Sequence, residues 1–261
     1  FGLLQQRIGR TSLSPSVLRR APAALVAYDL LEHGGEDLRE QALERRVFEL
    51  EALLRPGIPG LELAPAVNGL NWRDLAAARA TSRERRVEGL MLKRLGTPYR
   101  SGRVRGDWWK WKIEPLTIDA VLVYAQPGSG RRASLLTDYT FAVWDGGAPG
   151  EGGLVPVAKA YSGVSDDEIR RIDAWVRRHT TERFGPVRRC EPVQVFELAF
   201  EGVNESDRHK TGVAVRFPRI KRWRTDKPPE QADTIAVLQA MIDTGVSGDD
   251  EALTGEPRDA E

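Results

Sequence analysis

The sequence has little of the residues that build disulfides and zinc sites. Its 261 residues include one cysteine, Cys190, and three histidines, His33, His179 and His209. A single cysteine cannot form an internal disulfide, which favours a reducing cytosol, and we expect a cytoplasmic protein. The same scarcity excludes a zinc cluster of cysteine and histidine ligands. No apolar run approaches the roughly 18 residues of a membrane span, so the sequence predicts no transmembrane helix and no membrane partner.

The charge is nearly balanced, but it is unevenly distributed. The net charge is +1, from 39 basic and 38 acidic residues. Residues 93–112 carry seven basic residues and one acid, and residues 216–227 carry six basic residues and one acid. Such clusters indicate a polyanion site, although two solvated basic surfaces would have the same composition. Residues 245–261 carry six acids and one arginine, and we predict a disordered acidic tail there.

Residues 1–114 mix strand and helix patterns. The apolar segment 24–31 predicts a buried strand, and 33–36 predicts a turn. Helical spacing of apolar residues over 37–54 predicts one helix. A second helix is predicted over 72–86 with Asn71 as its N-cap, and a short strand over 87–93.

After Pro115 the pattern changes to short strands. Strands are predicted at 117–124, 133–144, 155–161, 193–200 and 213–217. One helix is predicted after Ser165, which caps it, and a closing helix over 234–242. Several short strands with one inserted helix indicate a small barrel such as an OB-fold. We therefore predict an α+β chain with domains at 1–114 and 115–244, followed by the tail at 245–261.

The segment 108–113 reads Trp-Trp-Lys-Trp-Lys-Ile. In a strand, alternation puts Trp109, Trp111 and Ile113 on one face and Lys110 and Lys112 on the other. Two ammonium groups on one face repel each other unless an anion lies between them, and phosphate is a suitable counterion. The alternative is an edge strand protected by lysines. The chain has only seven lysines, which favours the phosphate interpretation.

The segment 88–93 reads Glu-Gly-Leu-Met-Leu-Lys and places opposite charges at the ends of an apolar strand. Glu88 is suited to Mg²⁺, which takes one or two protein carboxylates together with substrate phosphates. Strict alternation puts Glu88 and Lys93 on opposite faces, so a bulge or strand exit must intervene if they share a site. The alternative is a surface ion pair of Glu88 with Arg86 or Arg94.

The third segment, 215–228, is basic and contains two large aromatic residues. Pro218 makes it a poor central strand. Basic residues interleaved with Phe217 and Trp223 are typical of a nucleic-acid or polyphosphate contact surface. The alternative is a solvated basic loop, in which two large aromatic side chains have no evident use.

These segments, in this order, resemble the ATP-dependent DNA ligases of the covalent nucleotidyltransferase superfamily. Segment 88–93 resembles motif IV of that family, 109–112 resembles motif V, 216–228 resembles motif VI, and 27–31, Ala-Tyr-Asp-Leu-Leu, resembles motif III. The residues of these motifs are most similar to those of bacterial ligases of the helicase-associated type. The resemblance implies a partial nucleotidyltransferase (adenylation) domain followed by an OB-fold β-barrel domain. It also implies ATP and Mg²⁺ as cofactors and nicked duplex DNA as a partner, with helicase or nuclease repair partners possible.

The resemblance also implies site residues. In this family a lysine attacks the α-phosphate of ATP, AMP passes to the 5′-phosphate of a nick, and the 3′-hydroxyl displaces AMP. Tyr28 would stack on adenine, Glu88 would bind Mg²⁺, and Lys93 would join the nucleotide site. Lys110 and Lys112 would stabilise charge on the transferred phosphorus.

Motif VI carries two further sets of expected contacts. Arg224, Asp226 and Lys227 would orient the β- and γ-phosphates after the OB-fold domain swings onto the nucleotide. The contacts to the DNA backbone would come from the other basic residues of the segment, namely Arg216, Arg219, Lys221 and Arg222.

One departure from the family pattern concerns the nucleophile. That lysine lies in a Lys-x-Asp-Gly motif upstream of motif III, and none of the seven lysines here precedes x-Asp-Gly. Residues 1–10 resemble the segment that follows the half containing it. We therefore expect that this chain alone does not form a lysyl-adenylate. Incubation with ATP and Mg²⁺ tests this, because a covalent AMP adduct would contradict it.

Two other functions are compatible with the sequence. One is a non-catalytic OB-fold module that binds DNA with steep salt dependence. It would not need Glu88, so Glu88→Ala would separate it from an enzyme. The other is an RNA-capping or RNA-ligating relative with the same pocket chemistry, which the choice between nicked DNA and RNA would identify.

Overall fold

The chain divides into two units in the computed structural model, which describes residue 4 and residues 7–206 and 209–243. One unit consists of the residues up to Ser82 together with Gly89–Lys112, and the other of Arg83–Glu88 together with the chain from Ile113 onwards. The domain bounds at 114 and 244 stay predictions, and the tail at 245–261 lies outside the described residues. Within those residues, no helix has the length and apolar character needed to cross a membrane.

The first unit is made of short elements. Its helices are α1 (Pro15–Arg20), α2 (Leu43–Leu54) and α3 (Trp72–Ala80), and its strands are β1 (Leu25–Ala27), β2 (Glu32–His33), β3 (Glu36–Asp37), β4 (Leu61–Leu63), β5 (Gly89–Lys93) and β6 (Trp108–Lys112). They form three two-stranded sheets, in which β1 is parallel to β4, and β2–β3 and β5–β6 are antiparallel.

Local signals predicted part of this unit correctly. Asn71 caps α3 as predicted, because its side chain accepts hydrogen bonds from the backbone N–H groups of Arg73 (2.8 Å) and Asp74 (3.1 Å). The helix ends at Ala80 instead of 86. Arg86 has φ of +54°, which an α-helix does not contain.

Two other predictions for this unit were wrong in extent. The buried strand predicted over 24–31 is the three-residue β1, and Leu25 is 67% exposed. The helix predicted over 37–54 begins only at Leu43, because residues 36–37 form β3. The turn predicted at 33–36 is confirmed, since Gly34 and Gly35 have φ of +60° and +85° between β2 and β3.

The second unit contains a seven-stranded sheet and a separate hairpin. Its strands are β7 (Leu116–Pro127), β8 (Leu136–Trp144), β9 (Leu154–Ala160), β10 (Thr180–Phe184), β11 (Val187–Cys190), β12 (Val195–Phe200), β13 (Gly202–Glu205), β14 (Val213–Arg216) and β15 (Arg219–Trp223). The strand order is β10-β11-β7-β12-β15, with β8 on β7 and β9 on β8, while β13 pairs with β14. The sheet does not close into a barrel among the described residues.

The core of this unit lies between the long strands and two helices, α4 (Asp166–Arg178) and α5 (Ile235–Asp243). Leu122, Phe141 and Phe196 are fully buried there. Ser165 caps α4 through a reciprocal pair of hydrogen bonds with Glu168, as its position in the sequence predicts. The unit therefore presents a rigid sheet on which the basic segment β15 is an edge strand.

Candidate active site

The hairpin β5–β6 places three lysines on one face. In its antiparallel register, Lys93 lies opposite Trp108, Met91 opposite Lys110, and Gly89 opposite Lys112. Directly opposite residues share a face, and alternate residues along a strand share it too. Lys93, Lys110 and Lys112 therefore lie on the same side of the hairpin, which we call the lysine face.

The opposite face of the hairpin is anchored by α3. The ring of Trp111 meets that of Trp72 edge-to-face at a centroid distance of 5.7 Å. The Arg79 guanidinium lies 5.2 Å from the centroid of the Trp111 ring and donates hydrogen bonds to the backbone oxygen of Lys112. These contacts fix the strand that carries Lys110 and Lys112.

Gly89 opens the hairpin, and only glycine suits this position. Its φ is +135°, and a Cβ there would lie 2.3 Å from the Trp111 carbonyl oxygen and 2.7 Å from the Lys112 Cα. An L side chain would meet both an unfavourable backbone conformation and the neighbouring strand. Glu88 lies before this residue and outside the strand, so the strand exit anticipated from the sequence is present.

Lys93 lies against two aromatic rings. Its Nζ is 4.5 Å from the ring centroid of Tyr28 and 4.3 Å from that of Trp108, close enough for cation–π attraction to both. It also donates a hydrogen bond to the Tyr28 carbonyl oxygen at 3.4 Å. Burial lowers the pKa of Lys93, and the nearby carboxylate of Asp29 opposes that shift. Tyr28 itself remains 55% exposed, so one side of its ring is open.

Trp108 was not among the residues predicted for the site. The signal was present, because Trp108 is two residues before Lys110 and strand alternation puts both on one face. Of the tryptophans in this segment, only Trp109 and Trp111, on the opposite face, were assigned to a face of the strand in advance. Trp108 also meets Tyr28 and Tyr99 edge-to-face at centroid distances of 6.4 and 6.0 Å.

A buried ion pair supports the segment that carries Tyr28. The Arg46 Nε and Nη2 donate to the two carboxylate oxygens of Asp29 at 2.7 and 2.9 Å, and both side chains are almost fully buried. Arg46 Nη1 also donates to the carbonyl oxygens of Gln41 and Thr97. This arginine therefore joins the Tyr28 segment, α2 and the chain after β5.

We predict that Lys93 titrates below the ordinary lysine pKa. The folded state holds this proton less tightly than the unfolded chain does. The contribution of Lys93 to the free energy of unfolding therefore increases with pH, from its folded pKa up to the ordinary lysine value. The ¹³Cε shift of Lys93 against pH measures the pKa, and Lys93→Arg assigns the signal.

Trp108→Leu is the informative companion variant, because it removes one ring and opens the amine to water. The Lys93 pKa should then move back towards the ordinary value. An ordinary pKa in the unsubstituted protein would contradict the description of this amine as desolvated.

Glu88 belongs to the second unit by its contacts. Its Oε1 accepts a hydrogen bond from Arg216 Nη2 at 3.3 Å, between side chains that are about 40% exposed. Both residues line a cavity of about 360 Å³ within that unit. The described residues contain no group of three or more histidine, cysteine, aspartate or glutamate side chains placed to hold a metal ion.

The carboxylates of the second unit pair with every predicted DNA-contact residue. Arg219 pairs with Glu201 at 2.8 Å, and Glu197 accepts from Lys221 at 2.9 Å and from Arg222 at 3.1 Å. The two cations lower the pKa of Glu197. Each predicted DNA-contact residue is therefore a partly exposed cation paired with a nearby carboxylate. The partner of Arg216 is Glu88.

The predicted phosphate-orienting residues form one network. Asp226 accepts hydrogen bonds from Nε and Nη2 of Arg224, which lower the Asp226 pKa to about 2. Arg224 Nη1 and Lys227 Nζ both donate to Asp119, at 2.8 and 2.7 Å. Sequence reasoning missed Asp119, which lies more than 100 residues away in the chain.

The sequence interpretation of the two aromatics in the basic segment needs one correction. Trp223 is partly buried, because its ring stacks on the buried ring of Phe196 at 5.3 Å and its Nε1–H donates to Gln194 Oε1. Phe217 is 67% exposed and has φ of +52°. Of the two rings, that of Phe217 is therefore the more open to a partner.

Comparison with known proteins identifies the family. Residues 1–112 match the family model described as the ATP dependent DNA ligase domain, and residues 132–227 match the ATP dependent DNA ligase C terminal region. The chain belongs to the ATP-dependent DNA ligase family. The family expectation drawn from motifs III to VI is thereby confirmed.

Two relatives show how much of a ligase the chain spans. A probable DNA ligase of Koribacter versatilis is 37% identical over an alignment of 257 positions, gaps included, which covers 90% of this chain and 44% of that protein. A probable DNA ligase of Opitutus terrae is 35% identical over an alignment of 285 positions, gaps included, which covers 98% of this chain and 28% of that protein. This ligase-family chain thus spans less than half the length of either relative.

Solved structures support the fold. A structure titled as a structure–function analysis of Lig E DNA ligases aligns with a TM-score of 0.55 and 20% identity, covering 82% of this chain and 68% of that one. Another, titled Pmar-Lig_PreS3, aligns with a TM-score of 0.53 and 17% identity, covering 71% of this chain and 40% of that one. The chain therefore has the nucleotidyltransferase and OB-fold architecture of DNA ligases.

Proposed function

We propose that this chain supplies the phosphate-handling face and the DNA contacts of an ATP-dependent DNA ligase. The observation that carries the proposal is the lysine face, where Lys93, Lys110 and Lys112 share one side of a hairpin and Lys93 touches the half-exposed ring of Tyr28. A nucleotide has an aromatic base and a chain of phosphates. An aromatic ring beside one ammonium group, with two more on the same face of the hairpin, is complementary to both parts.

In the sealing step, the 3′-hydroxyl oxygen of a nick bonds to the phosphorus of the adenylated 5′-phosphate. The bond from that phosphorus to the AMP oxygen breaks, AMP leaves, and the hydroxyl proton passes to solvent. Negative charge grows on the oxygens around the phosphorus, and Lys110 and Lys112 stabilise it. Tyr28 stacks on adenine, and Lys93, held beside its ring, contacts the nucleotide phosphates.

Glu88 is the proposed protein ligand for Mg²⁺. A single carboxylate with substrate phosphates and water is a usual magnesium environment. The side chain already binds a cation, the guanidinium of Arg216. When bound, Mg²⁺ would neutralise charge on the transferred phosphate.

The second unit supplies the remaining contacts in this proposal. Arg224, Asp226 and Lys227 orient the β- and γ-phosphates of ATP. The DNA backbone is contacted by Arg216, Arg219, Lys221 and Arg222, whose side chains are 37–56% exposed. Each has a carboxylate partner, which a DNA phosphate would replace. Binding will depend strongly on salt, because cations that neutralise DNA phosphates release counterions from the DNA.

The remaining expectations rest on family membership. Nicked duplex DNA is the proposed substrate, and a helicase or nuclease partner and a cytoplasmic location stay predictions.

The experiment is ATP binding by the purified chain. Removing a charge-assisted hydrogen bond costs about 1.5–3 kcal/mol, so Lys110→Ala and Lys112→Ala should each weaken binding about 10- to 100-fold by calorimetry. Lys159→Ala is the matched control, because Lys159 is an exposed lysine on β9 of the other unit. Equal affinities for all three variants would contradict the proposed site.

A further inference from the structure

Two carboxylates face each other across the central sheet of the second unit. In the antiparallel register of β7 and β12, Asp119 lies directly opposite Glu197. Like charges in that position destabilise a sheet unless cations neutralise them. Asp119 is only 8% exposed, so its charge needs a partner within the protein.

A bulge in β15 determines which basic residues pair with each of these two carboxylates. The β12–β15 register moves from Glu197 opposite Arg222 to Leu198 opposite Ile220, which leaves Lys221 as the extra residue. Lys221 and Arg222 therefore both reach Glu197, at 2.9 and 3.1 Å. Neither cation is paired with Asp119, whose partners come from beyond the end of the strand.

Those partners are Arg224 and Lys227. One oxygen of Asp119, Oδ2, accepts from Arg224 Nη1 at 2.8 Å and from Lys227 Nζ at 2.7 Å. The other oxygen, Oδ1, is buried and makes no hydrogen bond with the described part of the chain. The side chains of Arg224 and Lys227 are each 19% exposed, so neither swings freely in solvent.

The backbone of Asp119 is held as firmly as its side chain. Its N–H donates to Asp233 Oδ2 at 2.7 Å, and its carbonyl oxygen accepts from the Asp233 N–H at 2.8 Å. Asp226, the second acidic partner of Arg224, is 64% exposed. The inner, fixed member of the network is therefore Asp119.

We propose that Asp119 is a positioning residue, which holds Arg224 and Lys227 together as a preformed pair of cations for the phosphates of the nucleotide. Two cations brought to one place repel each other, and a buried carboxylate between them removes that cost before the ligand arrives. Arg224 and Lys227 still have N–H donors for the phosphates, since a guanidinium has five N–H donors and an ammonium has three. The inference rests on the proposed role of motif VI.

The test measures binding of inorganic pyrophosphate to the full chain by calorimetry. Asp119→Asn keeps the shape of the side chain and removes its charge, and we expect the Kd to rise at least about tenfold, since a hydrogen bond to a charged group is at stake. Glu197→Gln is the matched control on the opposing strand. It removes the negative charge that Lys221 and Arg222 share, and it should not weaken pyrophosphate binding.

A second control separates positioning from stability. Asp233→Ala removes the acceptor for the Asp119 N–H and should lower the melting temperature while pyrophosphate binding is retained. Asp119→Glu keeps the negative charge and moves it by one methylene. It should lower the melting temperature less than Asp119→Asn does and still weaken pyrophosphate binding.

The outcomes distinguish this inference from the function on which it rests. If Arg224→Ala weakens pyrophosphate binding and Asp119→Asn does not, the positioning role is wrong and motif VI keeps its role. If Arg224→Ala has no effect, or the unsubstituted chain does not bind pyrophosphate, both are overturned. Weaker binding in Asp119→Asn and Arg224→Ala, with Asp233→Ala unaffected, supports both.

Discussion

Replacing Arg46 by methionine is expected to lower the free energy of unfolding by about 3–5 kcal/mol, because it leaves a buried charge without its partner. The Arg46 side chain is 0% exposed and that of Asp29 is 5% exposed. Methionine fills much of the space but donates no hydrogen bond. Within the described part of the chain, the Leu30 N–H is then the one remaining hydrogen-bond donor to the Asp29 carboxylate, and the backbone beside Tyr28 loses its support. Denaturant unfolding of Arg46→Met measures the effect.

The adjacent residue provides the control. Arg45 pairs with Glu49 at 2.7 Å, but its side chain is 60% exposed. Exposed pairs of this kind contribute about 0–1 kcal/mol, so Arg45→Met should change stability little. Equal losses of unfolding free energy in the two variants would contradict a larger stabilising contribution from the Asp29–Arg46 pair.

Replacing Gly89 by alanine is expected to disrupt the lysine face. The residue has φ of +135°, and the added Cβ would lie 2.3 Å from a backbone oxygen of the paired strand. Backbone strain of about 1–3 kcal/mol adds to a steric cost of similar size. The partner atom belongs to the backbone, so β6 itself must shift. We expect a loss of about 2–6 kcal/mol in the free energy of unfolding.

Gly96→Ala is the matched substitution in the same unit. A Cβ at Gly96 meets nothing within 4 Å, so stability should change by no more than about 1 kcal/mol. The ¹³Cε signal of Lys93 gives a second readout, because it should move in Gly89→Ala and stay in place in Gly96→Ala. A Gly89→Ala protein with unchanged stability and an unchanged Lys93 signal would contradict the account of this hairpin.

The correct sequence predictions were those that depend on local geometry. Strand alternation alone puts Lys110 and Lys112 on one face, and cap chemistry at Asn71 and Ser165 requires only the next few residues. Pro218 likewise excludes the centre of a sheet, and β15 is an edge strand. The motifs that carry the family resemblance are local in the same sense.

The wrong or missing predictions depend on partners far away in the chain. Arg46 falls in the apolar stripe of α2, between Leu43 and Leu50, and only the distant Asp29 explains why an arginine is buried there. Trp223 packs against the core because β15 lies beside β12. The strands β10 and β11 were not predicted, because they are rich in charged residues and lack a run of apolar ones.

Nick sealing is the most direct test of the claim that the lysine face handles phosphate in DNA ligation. In a chimera, this chain replaces the matched region of the Koribacter versatilis relative, and sealing of a nicked duplex is timed with ATP and Mg²⁺. We predict sealing by the chimera and a loss of at least about 10²-fold in Lys110→Ala and Lys112→Ala, as when a group that stabilises transition-state charge is removed. Lys159→Ala should seal normally. A chimera that does not seal, or one whose rate survives removal of Lys110 and Lys112, would contradict the claim.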